Sequence, residues 1–391
     1  MNILFFHICG INPTGGGVSQ ITHVLANEFI KQGNSVYFLG HYTQTGVYYQ
    51  NNQFFLPDSK QLLSGENINY IKTFCDNHHI EAIINQNGLS LESVEFVSKV
   101  KGIPIITVIH NSIFTQYRNL AAQYEYQLKS KHMGWLYLII KGIPVRQLIT
   151  RLYIRRYAKY YNSIADRSDA ISVMSQGQIE DLKIVLNKSK WGKLYFIPNC
   201  INPYTLQWKP RSKTVLWVAT IDFKIKRVDL MLKIWKQVQD SHPDWNLKIL
   251  GDSPDTPNAK RYAHSIGVKN VSFEGRVNPE PYYLDAQIAC VTSTHESFSM
   301  VLIESFKYGV VPMTFDSFPA AKEIIHNGFD GVLIPAFEVD EYAKELKSLM
   351  DDSERREKMR HNANETAQMY FSPKIYGEWR RLLEKAGSSE D

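Results

Sequence analysis

The 391-residue sequence predicts an α/β fold of two doubly wound, Rossmann-like domains. Three observations carry that expectation. Short apolar runs alternate with segments of helical periodicity along most of the chain. The first apolar run leads straight into a glycine-rich loop and a helix. Midway, residues 198–210 hold three prolines and no periodicity, which marks a linker. The expected division is 1–203 for a first domain, 204–370 for a second and 371–391 for a C-terminal helix. Hydrophobic residues at 44% and charged residues at 21% suit a globular protein with two cores.

In order, residues 2–8 read as a strand, 12–17 as a loop ending in Gly15, Gly16 and Gly17, and 18–31 as a helix stopped by Gly33. Such glycines let backbone approach a ligand phosphate at a helix N-terminus. A plain tight turn is the alternative. The spacing is not that of a dinucleotide fingerprint. Strands follow at 35–39, 81–85, 104–109, 169–174 and 194–197, with helices at 61–75 and 91–100. Met1–Cys9 lacks a basic leader and a small-residue cleavage site, so it reads as the first strand rather than a signal peptide. The strand at 104–109 ends in His110, at the carboxyl edge where open parallel sheets bind ligands. There it would serve a sugar hydroxyl or developing charge, or be held by loop carbonyls. The second domain predicts strands at 214–219, 246–250, 271–275, 287–292, 310–315 and 332–334. Its helices are 228–239, 278–287, 300–306 and 319–325, and the tail helix is 372–385.

The stretch His295–Glu304 carries the chemistry. Glu296 and Glu304 stand eight positions apart. On one continuous helix they would lie ~12 Å and ~80° apart and could not act on one atom. With Glu296 in a loop and Glu304 on a helix capped by Ser297 or Ser299, they flank a helix N-terminus that attracts anions. A ligand with a phosphate in the middle and hydroxyls at both ends fits, as a nucleotide-sugar does. Upstream, the loop at 220–226 carries two cations, Lys224 and Lys226.

The pair of glutamates with seven residues between them, in a strand–loop–helix setting, resembles the signature of the retaining glycosyltransferases of family 4. The resemblance implies the GT-B architecture, two Rossmann-like domains facing across a cleft. By it, Gly16 and Gly17 match a donor- and acceptor-facing Gly-Gly pair, and His110 matches a catalytic histidine that faces the donor sugar. Residues 196–202, Phe-Ile-Pro-Asn-Cys-Ile-Asn, are similar to an Ile-Pro-Asn-Gly-Val-Asp crossover, with Cys200 in place of glycine. Lys226-Arg227 matches the family's Lys-Arg, while Ala219-Thr220-Ile221 stands where the family carries Gly-Arg-Leu. The phosphate-binding arginine is therefore missing at Thr220, and Arg227 is its candidate substitute. Gly251-Asp252-Ser253-Pro254 is similar to Gly-Asp-Gly-Pro, and Ser317-Phe318 replaces a Gly-Gly pair. The implied roles are donor-sugar contact for Glu296, ribose contact for Glu304, and diphosphate contact for Lys226 and the backbone of Ser297, Phe298, Ser299, Met300 and Val301. The implied activity is metal-independent hexosyl transfer, with no cofactor besides a UDP- or GDP-linked donor. The rival readings are a GT-B nucleotide-sugar epimerase and a non-catalytic nucleotide-sugar-binding subunit.

Residues 1–205 hold 19 Lys and Arg against 12 Asp and Glu, while the remainder holds 25 against 27. A basic partner surface is thus expected in the N-terminal half. Residues 127–165 contain eight Lys or Arg, no acid, and interleaved aromatics. On a helix from Val145, Arg151, Arg155 and Lys159 share one face. Ile149, Tyr153, Tyr157, Tyr160 and Ile164 share the other, with Leu148 and Leu152 breaking the separation. Peripheral contact with anionic membrane, a solvated helix packed on the sheet, and nucleic acid are the three readings; the first two outweigh the third. The membrane reading suggests a lipid-linked surface glycan as acceptor and a cytoplasmic enzyme at the inner face of the membrane. The four cysteines lie far apart in or beside apolar runs, as reduced, buried thiols do. No apolar run approaches ~20 residues, the length that spans a bilayer.

Overall fold

A computed structural model describes residues 1–13, 15–43 and 51–387. The chain forms two compact units: Met1–Asn111 with Leu152–Asn202 and the segment from Tyr370, and Ser112–Arg151 with Pro203–Met369. The helices used below are α1 (Gly17–Lys31), α2 (Leu120–Ser130), α3 (Gly134–Lys141), α4 (Ile143–Asp166), α5 (Val228–Val238), α6 (Met300–Lys307) and α7 (Ser372–Gly387).

The first unit holds seven parallel strands: β1 (Asn2–Phe6), β2 (Ser35–Gly40), β3 (Gln53–Phe55), β4 (Ala82–Asn85), β5 (Ile105–Ile109), β6 (Ala170–Val173) and β7 (Leu194–Phe196). Their order is β3-β2-β1-β4-β5-β6-β7. A parallel sheet is covered on both faces, so its strands bury nearly every side chain. Ile3 to Phe6, Ile83, Ile84 and Ile105 to Ile109 are accordingly buried. Helix α7 packs on α1: Phe29 meets Tyr376 edge-on at 5.0 Å, and Ser372 Oγ donates to Glu28 at 2.8 Å. The three-residue edge strand β3 was not expected.

The second unit holds six parallel strands: β8 (Thr214–Val218), β9 (Asn246–Leu250), β10 (Val271–Gly275), β11 (Ile288–Val291), β12 (Val311–Phe315) and β13 (Val332–Ile334), ordered β10-β9-β8-β11-β12-β13. Its core joins the buried faces of β8, β9, β11 and β12 to α5, whose Leu230, Met231, Ile234 and Trp235 are all buried.

One expectation needs correction. Residues 112–151 were assigned to the first domain because they follow β5 in sequence, but they pack into the second unit. Arg227 anchors them. Its side chain is fully buried and reaches α2, where Nη2 lies 3.1 Å from Glu125 and Nη1 donates to the Ala122 carbonyl. Tyr126 of α2 stacks on Phe223 at 4.2 Å. Six of the basic residues counted toward the N-terminal half, Arg118, Lys129, Lys131, Lys141, Arg146 and Arg151, therefore belong to the second unit.

Candidate active site

In the second sheet the strand order reverses between β8 and β11. A crevice opens at the carboxyl ends of strands at such a switch point, and open α/β sheets bind ligands there. The loops leaving these two strands, 219–227 and 292–299, carry Lys226 and Glu296. Side chains from within the loops shape them. One Asp222 oxygen accepts the backbone N–H groups of Lys224 (2.7 Å), Ile225 (2.5 Å) and Lys226 (3.0 Å). Thr292 Oγ1 donates to the Lys226 carbonyl at 2.8 Å, and the Thr294 N–H donates to the Ile225 carbonyl at 2.7 Å. Asn119 Nδ2 donates to the carbonyls of Thr294 (2.7 Å) and Ser317 (2.6 Å). The result is a half-buried ion pair, Lys226 Nζ to Glu296 Oε1 at 2.5 Å, with Ser293 Oγ donating to the same oxygen at 2.8 Å. Nothing in the sequence signalled Asp222 or Asn119, because their partners are backbone groups, and Ser293, three residues before Glu296, matches no motif.

Glu296 lies in the loop and Glu304 on α6, so the two do not share one helix. The expected side-chain cap is absent. Ser299 precedes α6 with φ 83°, ψ 91° and makes no capping hydrogen bond. A cap needs an extended backbone, as Ser64 has at φ −61°, ψ 153° when it accepts from Asn67. The first N–H groups of α6, from Met300 and Val301 onward, are left without that acceptor, which suits an incoming anion. Holding a non-glycine residue at positive φ costs ~1–3 kcal/mol, a cost that tends to cluster at ligand clamps. Phe298 is buried, whereas Ser297, Met300 and Val301 are half-buried. Glu304 accepts from Tyr283 Oη at 3.0 Å, and burial pushes its carboxyl above the ordinary range.

Arg227 does not replace the missing arginine. It is fully buried, and both its Nε and Nη2 are engaged by Asp229, at 2.8 and 2.9 Å. A guanidinium tied to two carboxylates and a carbonyl cannot turn to a phosphate. Lys224 is also occupied, with Nζ 4.6 Å above the Tyr124 ring. Of the cations in this loop, Lys226 is the one paired with Glu296. Thr220 is exposed, and Gly251 at the end of β9 presses against Ala219. A Cβ at Gly251 would lie 1.8 Å from the Ala219 carbonyl oxygen, and its φ is +132°, so only glycine fits there.

The family model "Glycosyl transferases group 1" matches residues 203–366. Over that stretch, most of the second unit, the chain resembles the group 1 glycosyltransferases. An uncharacterized glycosyltransferase of Haemophilus influenzae is 29% identical over 188 residues, covering 48% of this chain and 53% of the relative. A Campylobacter jejuni α-1,4-N-acetyl-D-galactosaminyltransferase, named for an undecaprenol-diphosphate-linked substrate, is 26% identical over 174 residues, covering 44% and 48%. The chain spans about half or less of the length of the first curated relatives it matches. Among solved structures, Anabaena HepE in complex with UDP and glucose aligns with TM-score 0.71 at 15% identity, covering 98% of this chain and all of that one. This likeness establishes the GT-B type of fold.

The second unit holds Lys226, residues 296–301 and Glu304, whereas Gly16, Gly17 and His110 lie in the first unit. Gly16 precedes α1 at φ −70°, and a Cβ on Gly16 or Gly17 would meet nothing within 4 Å. Neither glycine is demanded by the local backbone, and both leave the start of α1 open. His110 follows β5, with Nε2 2.5 Å from Gln86 Oε1. Burial, helped by nearby His7, lowers its pKa to about 4. The ring is therefore neutral near pH 7, with one nitrogen a hydrogen-bond donor and the other an acceptor. Cys200, at the crossover, is buried and its thiol is pushed up to about 12.

Arg151, Arg155 and Lys159 of α4 are exposed, but Leu148 and Leu152 are exposed beside them. The tyrosine face packs inward. Tyr153 and Tyr161 are buried and joined hydroxyl to hydroxyl at 2.9 Å, Tyr160 donates to the Leu89 carbonyl, and Ile164 is buried. That face is core, and it is not available to lipid. Among the described residues, no helix is long and apolar enough to cross a membrane.

Proposed function

We propose that the chain is a retaining glycosyltransferase that moves a hexosyl group from a UDP- or GDP-linked donor to an acceptor hydroxyl. The observation that carries the reading is the Lys226–Glu296 pair at the β8/β11 switch point, followed directly by the uncapped start of α6. Cation, hydroxyl acceptor and anion-binding N–H groups stand together in the order that a sugar diphosphate requires. In this reading Glu296 takes donor-sugar hydroxyls and Glu304 takes the ribose. Lys226 and the backbone of Ser297, Phe298, Ser299, Met300 and Val301 hold the diphosphate. The C1–O bond to phosphate breaks with its electron pair passing to the phosphate oxygen. The acceptor oxygen bonds C1 on the same face, and its proton goes to the departing phosphate. Preorganised positive charge at that oxygen lowers the barrier. Lys226 supplies charge that a metal would otherwise supply, so no metal is invoked. The lipid-linked acceptor is supported by the C. jejuni relative, and it implies a cytoplasmic enzyme working peripherally at the inner face of the membrane. The test is a transfer assay with radiolabelled UDP- and GDP-sugars and a polyprenyl-diphosphate glycan. One donor should be consumed with α-configured product, and Glu296→Gln should lower turnover by roughly 10²–10³. A folded protein that turns over no donor, or an undiminished Glu296→Gln, rules the proposal out.

A further inference from the structure

Helix α3 buries none of its eight residues. Trp135, Leu138 and Ile139, spaced to share one face, are 60%, 67% and 51% exposed, and Ile143 and Leu148 continue the apolar surface at the start of α4. Lys131, Lys141 and Arg151 are exposed around them, with no acid between residues 127 and 165. The opposite face of α3 looks inward. Tyr137 lies between Lys129 and Lys141, 5.1 and 5.9 Å from its ring. Tyr137 and Lys141 line a cavity of about 700 Å³ together with Arg118, Arg146 and Lys233. Arg146 Nε is buried there without a hydrogen-bond partner. The carboxylates on this cavity are Glu125, already held by Arg227 and Lys129, together with Glu338 and Asp340, which accepts from Gln237. Helix α3 is thus a thin wall with an apolar exterior and a cation-lined chamber behind it.

We infer that α3 and the start of α4 dock the protein on an anionic membrane, with lipid phosphate headgroups entering the chamber behind α3. Eight residues are too few to span, so the helix would lie in the interface with Trp135 at headgroup depth. Charge decides against a second copy of the chain, because an isologous contact would set lysines and arginines against themselves. Aliphatic side chains as exposed as Leu138 and Ile139 also gain nothing from nucleic-acid phosphates. The element is firmly seated, because α2, to which α3 is joined, is welded to the domain by Arg227 and by Tyr126 on Phe223. The helix Thr115–Arg118 leads to Asn119, which clamps the Glu296 loop. Membrane contact through α3 would therefore set the candidate active site at a fixed height above the bilayer.

The inference rests on the peripheral-membrane part of the proposed function, and its test uses no donor, so vesicle binding and sugar transfer fail separately. The full chain is floated with vesicles of phosphatidylcholine alone and with vesicles that also contain phosphatidylglycerol. Binding should favour the anionic vesicles and fall with added salt. Leu138→Glu with Ile139→Glu should lower partitioning at least roughly ten-fold. Lys141→Gln with Arg146→Gln should remove the preference for anionic over neutral vesicles. Unchanged thermal midpoints would show that the variants remain folded. Equal binding to both vesicle types, wild-type binding by the Leu138/Ile139 variant, or a dimer that this variant abolishes would each overturn the inference.

Discussion

Arg227 offers the sharpest test of how the donor loop is built. The resemblance made it a candidate phosphate ligand; the structure makes it a weld. Its guanidinium is fully buried, engages Asp229 through two nitrogens, and reaches Glu125 and the Ala122 carbonyl of α2. Replacing it with Met would fill most of its volume but leave Asp229, which is itself fully buried, to the partly exposed Lys233 ammonium 3.5 Å away in place of a two-nitrogen fork. Breaking a buried pair by removing one partner costs about 3–5 kcal/mol. For a unit of this size, that is a fall of roughly 6–20 °C in the thermal midpoint. Arg227→Lys should recover only part of the loss, because one ammonium cannot replace the planar fork. A companion Asp229→Asn in the Arg227→Met background should regain stability, since it removes the stranded charge. Calorimetric scans of the three variants, with donor titrations on the folded material at low temperature, give both readouts. An Arg227→Met protein with an unchanged midpoint and lost donor affinity would refute the weld and restore the phosphate role.

Other expectations follow from single sites. His110 has a folded pKa near 4 against 6.5 when unfolded. As pH falls from 6.5 the unfolded chain takes the proton first, so stability drops by up to about 3 kcal/mol by pH 4. Urea titrations of wild type and His110→Asn should diverge over that window, and parallel curves would contradict the shift. Gly251→Ala must either move the Ala219 carbonyl or distort a backbone at φ +132°, and should cost roughly 2–4 kcal/mol by denaturant unfolding; a neutral result would dismiss the close approach. Tyr283→Phe removes the hydroxyl that lowers the Glu304 pKa against burial. Donor affinity should then decline more steeply as pH falls, read by titration across pH 5–8; a pH profile identical to wild type would remove Tyr283 from the site. EDTA should leave transfer unchanged.

The strand ends were legible because a parallel sheet buries its strands on both faces, which writes each as a short apolar run ending where the loop chemistry begins. That rule placed strands at 287–292 before Glu296 and 104–109 before His110, where Ile288–Val291 and Ile105–Ile109 form. Strand β3 escaped it because three edge residues make no pattern. The role of Arg227 escaped because its partner Glu125 lies 102 residues away, and a lysine–arginine pair in a loop reads as two exposed cations. The same long-range contact hid the placement of residues 112–151. On α4 the periodicity was visible, but which face was core was not. Tyrosines there looked interfacial, yet they pack inward, while the two leucines that spoiled the pattern are the exposed ones.

The central claim is that Lys226, Glu296 and the start of α6 bind one nucleotide-sugar. Isothermal titration of the full chain with UDP- and GDP-sugars tests it without requiring an acceptor. The account predicts that one donor binds, that Glu296→Gln and Lys226→Ala each weaken it roughly ten-fold or more, and that the double variant is far from additive because the two groups touch. Affinity untouched by either substitution, or no nucleotide-sugar bound at all by the folded protein, would contradict it.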